Sequence, residues 1–158
     1  MSLTRYPRFA TATRSDMDFT PDKYTELLES LAGAGYRSAT FAGDCGKSIQ
    51  SAKTVYLRHD VDLRPDRSLA FAGIEAGLGL RAIYFFRAVP ESWDEGIIRR
   101  IAALGHEIGY HYESLTTCGG DIDKAYEDFR ANLEKLRALV PVTSICMHGS
   151  PRSPWDSK

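Results

Sequence analysis

The sequence predicts an α/β protein built on a parallel sheet, and three observations lead there. After residue 54, strand-like and helix-like segments alternate four times, which requires crossover helices between parallel strands. The strand candidates are short and apolar, as in RAIYFFR (81–87), and are bounded by turn residues. Ionisable residues collect where those strands stop, the edge at which parallel sheets carry their sites.

The elements follow in order. Residues 1–19 are polar and irregular. Thr20 before Pro21 reads as an N-cap and first helical turn. Tyr24, Leu27, Leu28 and Leu31 then recur at helical spacing, and Gly33 and Gly35 stop the helix. RSATFAG (37–43) is a short strand candidate and GDCGKSIQSAK (43–53) reads as loop. TVYLRH (54–59) is a strand, and DRSLAFAGIEAGL (66–78) a helix closed by Gly79. RAIYFFR is the next strand. SWDEGIIRRIAALG (92–105) is a helix opened by Ser92 and closed by Gly105. HEIGYHY (106–112) is a strand. Residues 121–140 form a helix with Ile122, Tyr126, Phe129, Leu133, Leu136 and Val140 along one stripe. VTSICMH (142–148) is the last strand.

A chain of 158 residues suits one domain. Residues 1–53 are expected to be an extension and lead-in helix, and 54–151 the β/α core. Hydrophobic residues make up 43% and charged residues 26%, as in a soluble globular protein. A net charge of −1 argues against nucleic acid or an anionic membrane as partner. No apolar run approaches the ~20 residues of a membrane span, and the N-terminus has no apolar signal region. Cys45, Cys118 and Cys146 form no CxxC pair, which fits reduced thiols in a cytoplasmic protein. A closed β/α barrel takes ~250 residues, and this chain stops just after its fourth such strand. An open sheet, or the front part of a longer barrel, is therefore expected.

HDVD, at 59–62, packs His59, Asp60 and Asp62 into one strand end. Like charges that close require a cation or a shared proton. Alternate aspartates lean the same way, so one can hold a divalent cation while the other takes a proton from water; a turn bonded to local amides is the plainer reading. In GHEIGYHYE (105–113), His106 and His111 lie five residues apart, on opposite faces of a strand. His111 is nearer the carboxyl end and is the better ligand, whereas His106 is expected to fix the loop entering the strand. Glu113 can be a ligand, a partner for the imidazole, or a helix-entry charge. His148 in CMHGSP stands before Gly149, which permits close approach of a ligand. Arg87 can orient Asp60, bind an anion or stay solvated. GDCGKS (43–48) has Phe41 where a P-loop needs its first glycine, and no GxSxG elbow occurs.

LRHDVD, AIYFFR, LGHEIGYHYE and CMHGSP, in that order over residues 54–151, resemble the polysaccharide deacetylases with a NodB-homology domain, in a divergent branch. The resemblance implies a distorted or partial (β/α) barrel of the glycoside hydrolase/deacetylase type. It also implies metal-dependent removal of acyl groups from N-acetylated carbohydrate or related amides. Carried over, it makes Asp60 the base and Asp62 a metal ligand, although Val61 separates two aspartates that the family usually has adjacent. His111 matches the family's first histidine. Leu115 stands where the second belongs, so His148, Glu113 or His59 must complete the set. Zinc is the expected cation and a carbohydrate or small amide the expected substrate, with a homo-oligomer open. Two alternatives stand beside this reading: another metal hydrolase such as a phosphoesterase, and a non-catalytic carbohydrate-binding domain, in which Tyr110, Tyr112 and Trp155 can stack on sugar rings.

Overall fold

The computed structural model describes residues 20–44, 53–149 and 153–155. In chain order the elements are α1 (Pro21–Gly33), β1 (Arg37–Ser38), α2 (Phe41–Asp44), β2 (Thr54–Val55), β3 (Leu57–Val61) and α3 (Pro65–Gly77). There follow β4 (Ala82–Phe86), α4 (Glu95–Ala103), β5 (Glu107–Tyr112), α5 (Ser114–Thr117), α6 (Ile122–Arg137) and β6 (Val142–Met147). The expected mixed α/β class with parallel strands is what forms. Strands β3, β4, β5 and β6 pair in sequential order, every pair parallel, and β1 and β2 make a separate parallel pair. No barrel closes among the described residues.

Several local readings change. The strand expected at 54–59 is two pieces that break at Tyr56, and the second runs on to Val61. Asp60 therefore lies inside the strand and only Asp62 follows it. RSATFAG is extended over two residues and then turns helical, because the Thr40 hydroxyl accepts the Gly43 N–H at 3.1 Å. Most of the expected loop at 43–53, Cys45 included, lies outside the described residues. Helix α1 starts as its sequence reads: Thr20 accepts from the Lys23 N–H and Pro21 opens the first turn. Helix α4 does not start at Ser92. Asp94 caps it by accepting the Ile97 N–H at 2.9 Å. Ser92 is fully buried, donates to the Val61 carbonyl and accepts the Arg87 N–H, so it ties the ends of β3 and β4 together.

Right-handed crossovers between strands in unreversed order bring successive helices to one face of a sheet. Here Ala72 of α3, Ile98 and Ile101 of α4, and Leu133 and Leu136 of α6 share one buried cluster with Val61, Tyr84, Phe86, Ile108, Tyr110 and Val142. Each such large side chain contributes about 1.5–3 kcal/mol on leaving water. The α6 stripe does not hold along its whole length. Ile122 is 75% exposed and Tyr126 63%, while Ala125 is buried, because the first turns of α6 run beside α5. Tyr110 is in the helix-side core, Tyr112 packs against it partly buried, and both meet Phe129. Trp155 lies against Gly120.

Alternation sends the intervening residues, Arg58, Asp60, Phe85, Gly109, His111 and Cys146, to the other face. There Phe85 crosses the middle of the sheet over Gly109. A Cβ at position 109 falls 2.3 Å from Phe85 Cε1, so glycine is required by close approach and not by backbone angle. Gly109→Ala is expected to destabilise the chain by about 1–3 kcal/mol, as overpacking does. Denaturant unfolding of Gly109→Ala alone and with Phe85→Leu checks this. The second substitution should recover part of the loss, and an undiminished loss in the pair contradicts the assigned clash.

Candidate metal centre

The site gathers at the carboxyl ends of β3, β5 and β6. The backbone N–H of Asp62 donates to the Asp60 carbonyl at 3.1 Å, a tight turn that directs both carboxylates to the same side. The chain then passes through Arg64, at φ 56° the non-glycine residue with positive φ among those described, before Pro65 starts α3. Such strain persists only where surrounding structure enforces it. His111 stands on β5, 3% exposed. His148 follows β6, and its N–H donates to the Tyr112 carbonyl at 2.8 Å, which prolongs the β5–β6 pairing by one bond and holds the residue in place.

Three donor atoms converge there. One ligand atom each from Asp62, His111 and His148 lies within 4.8 Å of the others. Nδ1 of His148 is 3.1 Å from Asp62 Oδ1 and 3.2 Å from His111 Nε2, and the last two are 3.8 Å apart. The protonation pattern follows from the partners. His111 Nδ1 faces the Cys146 carbonyl at 3.1 Å; a carbonyl only accepts, so Nδ1 carries the proton and Nε2 offers a lone pair to the site. A proton on His148 Nδ1 can satisfy that lone pair. It then leaves Asp62 Oδ1 without a donor, and that oxygen is buried with no hydrogen-bond partner among the described residues, even though the Asp62 side chain as a whole is nearly half exposed. The 3.1 Å approach of His148 is thus an ion-pair distance without hydrogen-bond direction. One proton cannot serve all three atoms, whereas a cation can. Two imidazole nitrogens and a carboxylate oxygen form a donor set that can hold a metal ion, with the tautomer of His111 fixed by a backbone carbonyl behind it.

Asp60 stands beside this group. Its Oδ2 is 3.8 Å from His111 Nε2, and both its oxygens are held by Arg58, at 2.8 and 2.9 Å. Arg58, which sequence reasoning passed over, thus takes the position foreseen for Arg87. Arg87 instead binds Glu113 at 2.6 and 2.9 Å and donates to the Asp62 carbonyl at 3.3 Å. Glu113 is consequently occupied as an ion-pair partner behind the Asp62 loop and is absent from the converging group.

His59 is on the opposite face, away from the group. Its Nε2 is 2.6 Å from Oε1 of Glu75, a fully buried carboxylate that also accepts from the Tyr24 and Tyr84 hydroxyls. Burial works to raise the Glu75 carboxyl, and the hydrogen bonds from His59, Tyr24 and Tyr84 together outweigh it, so it titrates below its usual value. Burial, with Glu75 beside them, pushes both tyrosine hydroxyls up. Strand alternation within HDVD separates its histidine from its aspartates.

His106 behaves as its position suggested. The Ala82 N–H donates to its Nδ1 at 3.0 Å, so its proton is on Nε2, which donates to the Ala72 carbonyl at 3.0 Å. Burial holds its pKa below the usual 6.5, and burial shifts His111 the same way.

Comparison with family models, curated proteins and solved structures finds no match to this chain. Among the described residues no helix is long and apolar enough to cross a membrane.

The His106 shift has a consequence for stability. Its folded pKa is depressed, so between that value and 6.5 the unfolded chain binds more protons. The stability it supports is complete above 6.5 and is lost as pH falls through the folded pKa. Urea unfolding between about pH 7 and 5 should show falling stability, with a shallower slope in His106→Gln, which is also less stable throughout. An unchanged slope would contradict the assignment.

Proposed function

We propose that this chain is a metal-dependent hydrolase that removes acyl groups from N-acetylated carbohydrate or related non-peptide amides, of the polysaccharide-deacetylase, NodB-homology type. The observation that carries the reading is Asp62 Oδ1, buried without a donor and facing two imidazole nitrogens. The motif order LRHDVD, AIYFFR, LGHEIGYHYE and CMHGSP supports the same family. Sequential parallel strands with three helices on one face support the winding of a distorted or partial (β/α) barrel. In this reading His148 supplies the donor that Leu115 does not.

Asp62, His111 and His148 would hold the cation, and their N and O donors favour zinc. The cation supplies Lewis acidity toward water and the amide carbonyl. Amide hydrolysis forms one C–O bond, breaks the C–N bond and transfers a proton from water to the departing nitrogen. Asp60 is the base for the water proton, since it adjoins the three donors without being one of them. Arg58 holds it by both oxygens and keeps it directed. Arg87 and Glu113 fix the loop that carries Asp62. A small amide or carbohydrate substrate and a cytoplasmic location complete the reading, as a single chain or a homo-oligomer.

Asp60→Asn should reduce kcat roughly 100-fold or more on an acetylated chito-oligosaccharide while metal content stays unchanged. Equal loss of metal and turnover would remove Asp60 from the role of base. Turnover of a generic phosphate ester instead of the acetylated sugar would favour a phosphoesterase. Sugar binding without turnover in the metal-loaded chain would favour a binding domain.

A further inference from the structure

Two carboxylates stand at the same distance from one imidazole. Asp62 Oδ1 and Asp60 Oδ2 are each 3.8 Å from His111 Nε2. By charge and reach both qualify as ligands. A cation surrounded by two carboxylates and two imidazoles would have its four protein donors complete, the closed arrangement of a structural site, whereas catalysis needs one position left open.

Something must therefore separate the two aspartates, and it is the arginine two residues before the first. Arg58 and Asp60 project from the same face of β3. The guanidinium grips both oxygens of Asp60, Nε at 2.8 Å and Nη2 at 2.9 Å, the planar fork geometry that lysine cannot reproduce. Arg58 is itself fixed. It lies over the Phe85 ring at 5.1 Å and touches Cys146 Sγ of β6 through Nη2. Among the described residues, the group with donor atoms within 4.8 Å of one another contains Asp62, His111 and His148, and Asp60 is not in it.

We infer that Arg58 is a positioning residue that sets the coordination number of the centre. By fixing the orientation of Asp60 through both oxygens it keeps that carboxylate out of the ligand set, leaves each oxygen a lone pair for the water proton, and reserves the remaining position for water or substrate. Asp62, free of any arginine fork, is left to coordinate. This inference rests on the proposed cation reading and adds to it a division of labour between two otherwise equivalent aspartates. Without Arg58, Asp60 turns toward His111 and joins the ligands. The centre then binds metal more tightly and works less well, the reverse of what loss of a supporting contact produces.

The test is a Co2+ titration of the full chain, with affinity from chelator competition and coordination from the visible absorption spectrum. It compares wild type, Arg58→Met, Arg58→Lys, Asp60→Asn and the Arg58→Met/Asp60→Asn pair. Arg58→Met should bind Co2+ roughly tenfold more tightly and change the spectrum, Arg58→Lys should move in the same direction, and both changes should vanish in the pair. Removal of a nearby positive charge also favours a cation, but that effect persists when Asp60 is asparagine. Equal tightening in the Asp60→Asn background, or no change in affinity and spectrum, overturns the inference and leaves the metal reading intact. If Arg58→Met fails to fold, Arg58→Lys decides by itself, and wild-type behaviour there overturns the inference. No Co2+ binding by wild type overturns the metal reading and this inference together.

Discussion

Parallel pairing in register brings the ends of β3, β4, β5 and β6 to one rim, and the whole site depends on that alignment. Asp60 lies opposite Phe85, Phe85 opposite Gly109, and His111 opposite Cys146. Because side chains alternate, one register decides both faces at once. It sends Tyr84, Phe86, Ile108 and Tyr110 to the helices, and it sends Arg58, Asp60 and His111 to the other side. The β5–β6 ladder shifts by one residue between Ile108/Gly109 and Val142/Ser144; beyond that point a further slip of one residue would exchange the two sets. Gly109 matters for the same reason: without a side chain there, Phe85 can cross toward β5 and sit under both Arg58 and His111.

The two faces of β3 solve the same electrostatic problem differently. On the helix face, the buried carboxylate of Glu75 is surrounded by the donors of Tyr24, His59 and Tyr84, and a carboxylate so supplied is stable in a low-dielectric setting. On the other face, Asp62 Oδ1 is just as hidden but has no donor, and its neighbours are imidazoles oriented with nitrogen toward it. A satisfied cluster anchors α1 and α3 to the sheet. The unsatisfied one is a group that can hold a cation. Neighbouring positions in HDVD thus serve opposite ends, which is why the tetrapeptide is so crowded.

Much of this was legible in the sequence. Strand and helix alternation gave the parallel sheet, and position at strand ends brought Asp62, His111 and His148 forward together. What stayed hidden depends on facing and partners. Glu75 lies in a helix whose pattern offers no sign that a carboxylate is inside it. Arg58 looks like an ordinary solvated charge on a strand, because a fork onto Asp60 across one alternation leaves no trace in spacing. Arg87, at the end of an aromatic strand, was equally plausible as the partner of Asp60, and Glu113, just past the end of β5, claims it instead. Ser92 resembles a helix cap, but Asp94 caps more closely and frees the hydroxyl for the Val61 carbonyl. The break at Tyr56, which divides one expected strand between two sheets, goes with a hydroxyl bond to Asp44 that no local pattern announces.

The central claim is that Asp62, His111 and His148 share one cation. The most direct measurement is elemental analysis of the purified, zinc-dialysed chain beside Asp62→Ala, His111→Ala and His148→Ala, with His59→Ala as the control from the opposite face. The account predicts about one ion per chain in the wild type and in any His59→Ala that folds, and loss of the ion in each of the other three. A folded wild-type chain without metal, or metal retained in all three variants, would contradict it.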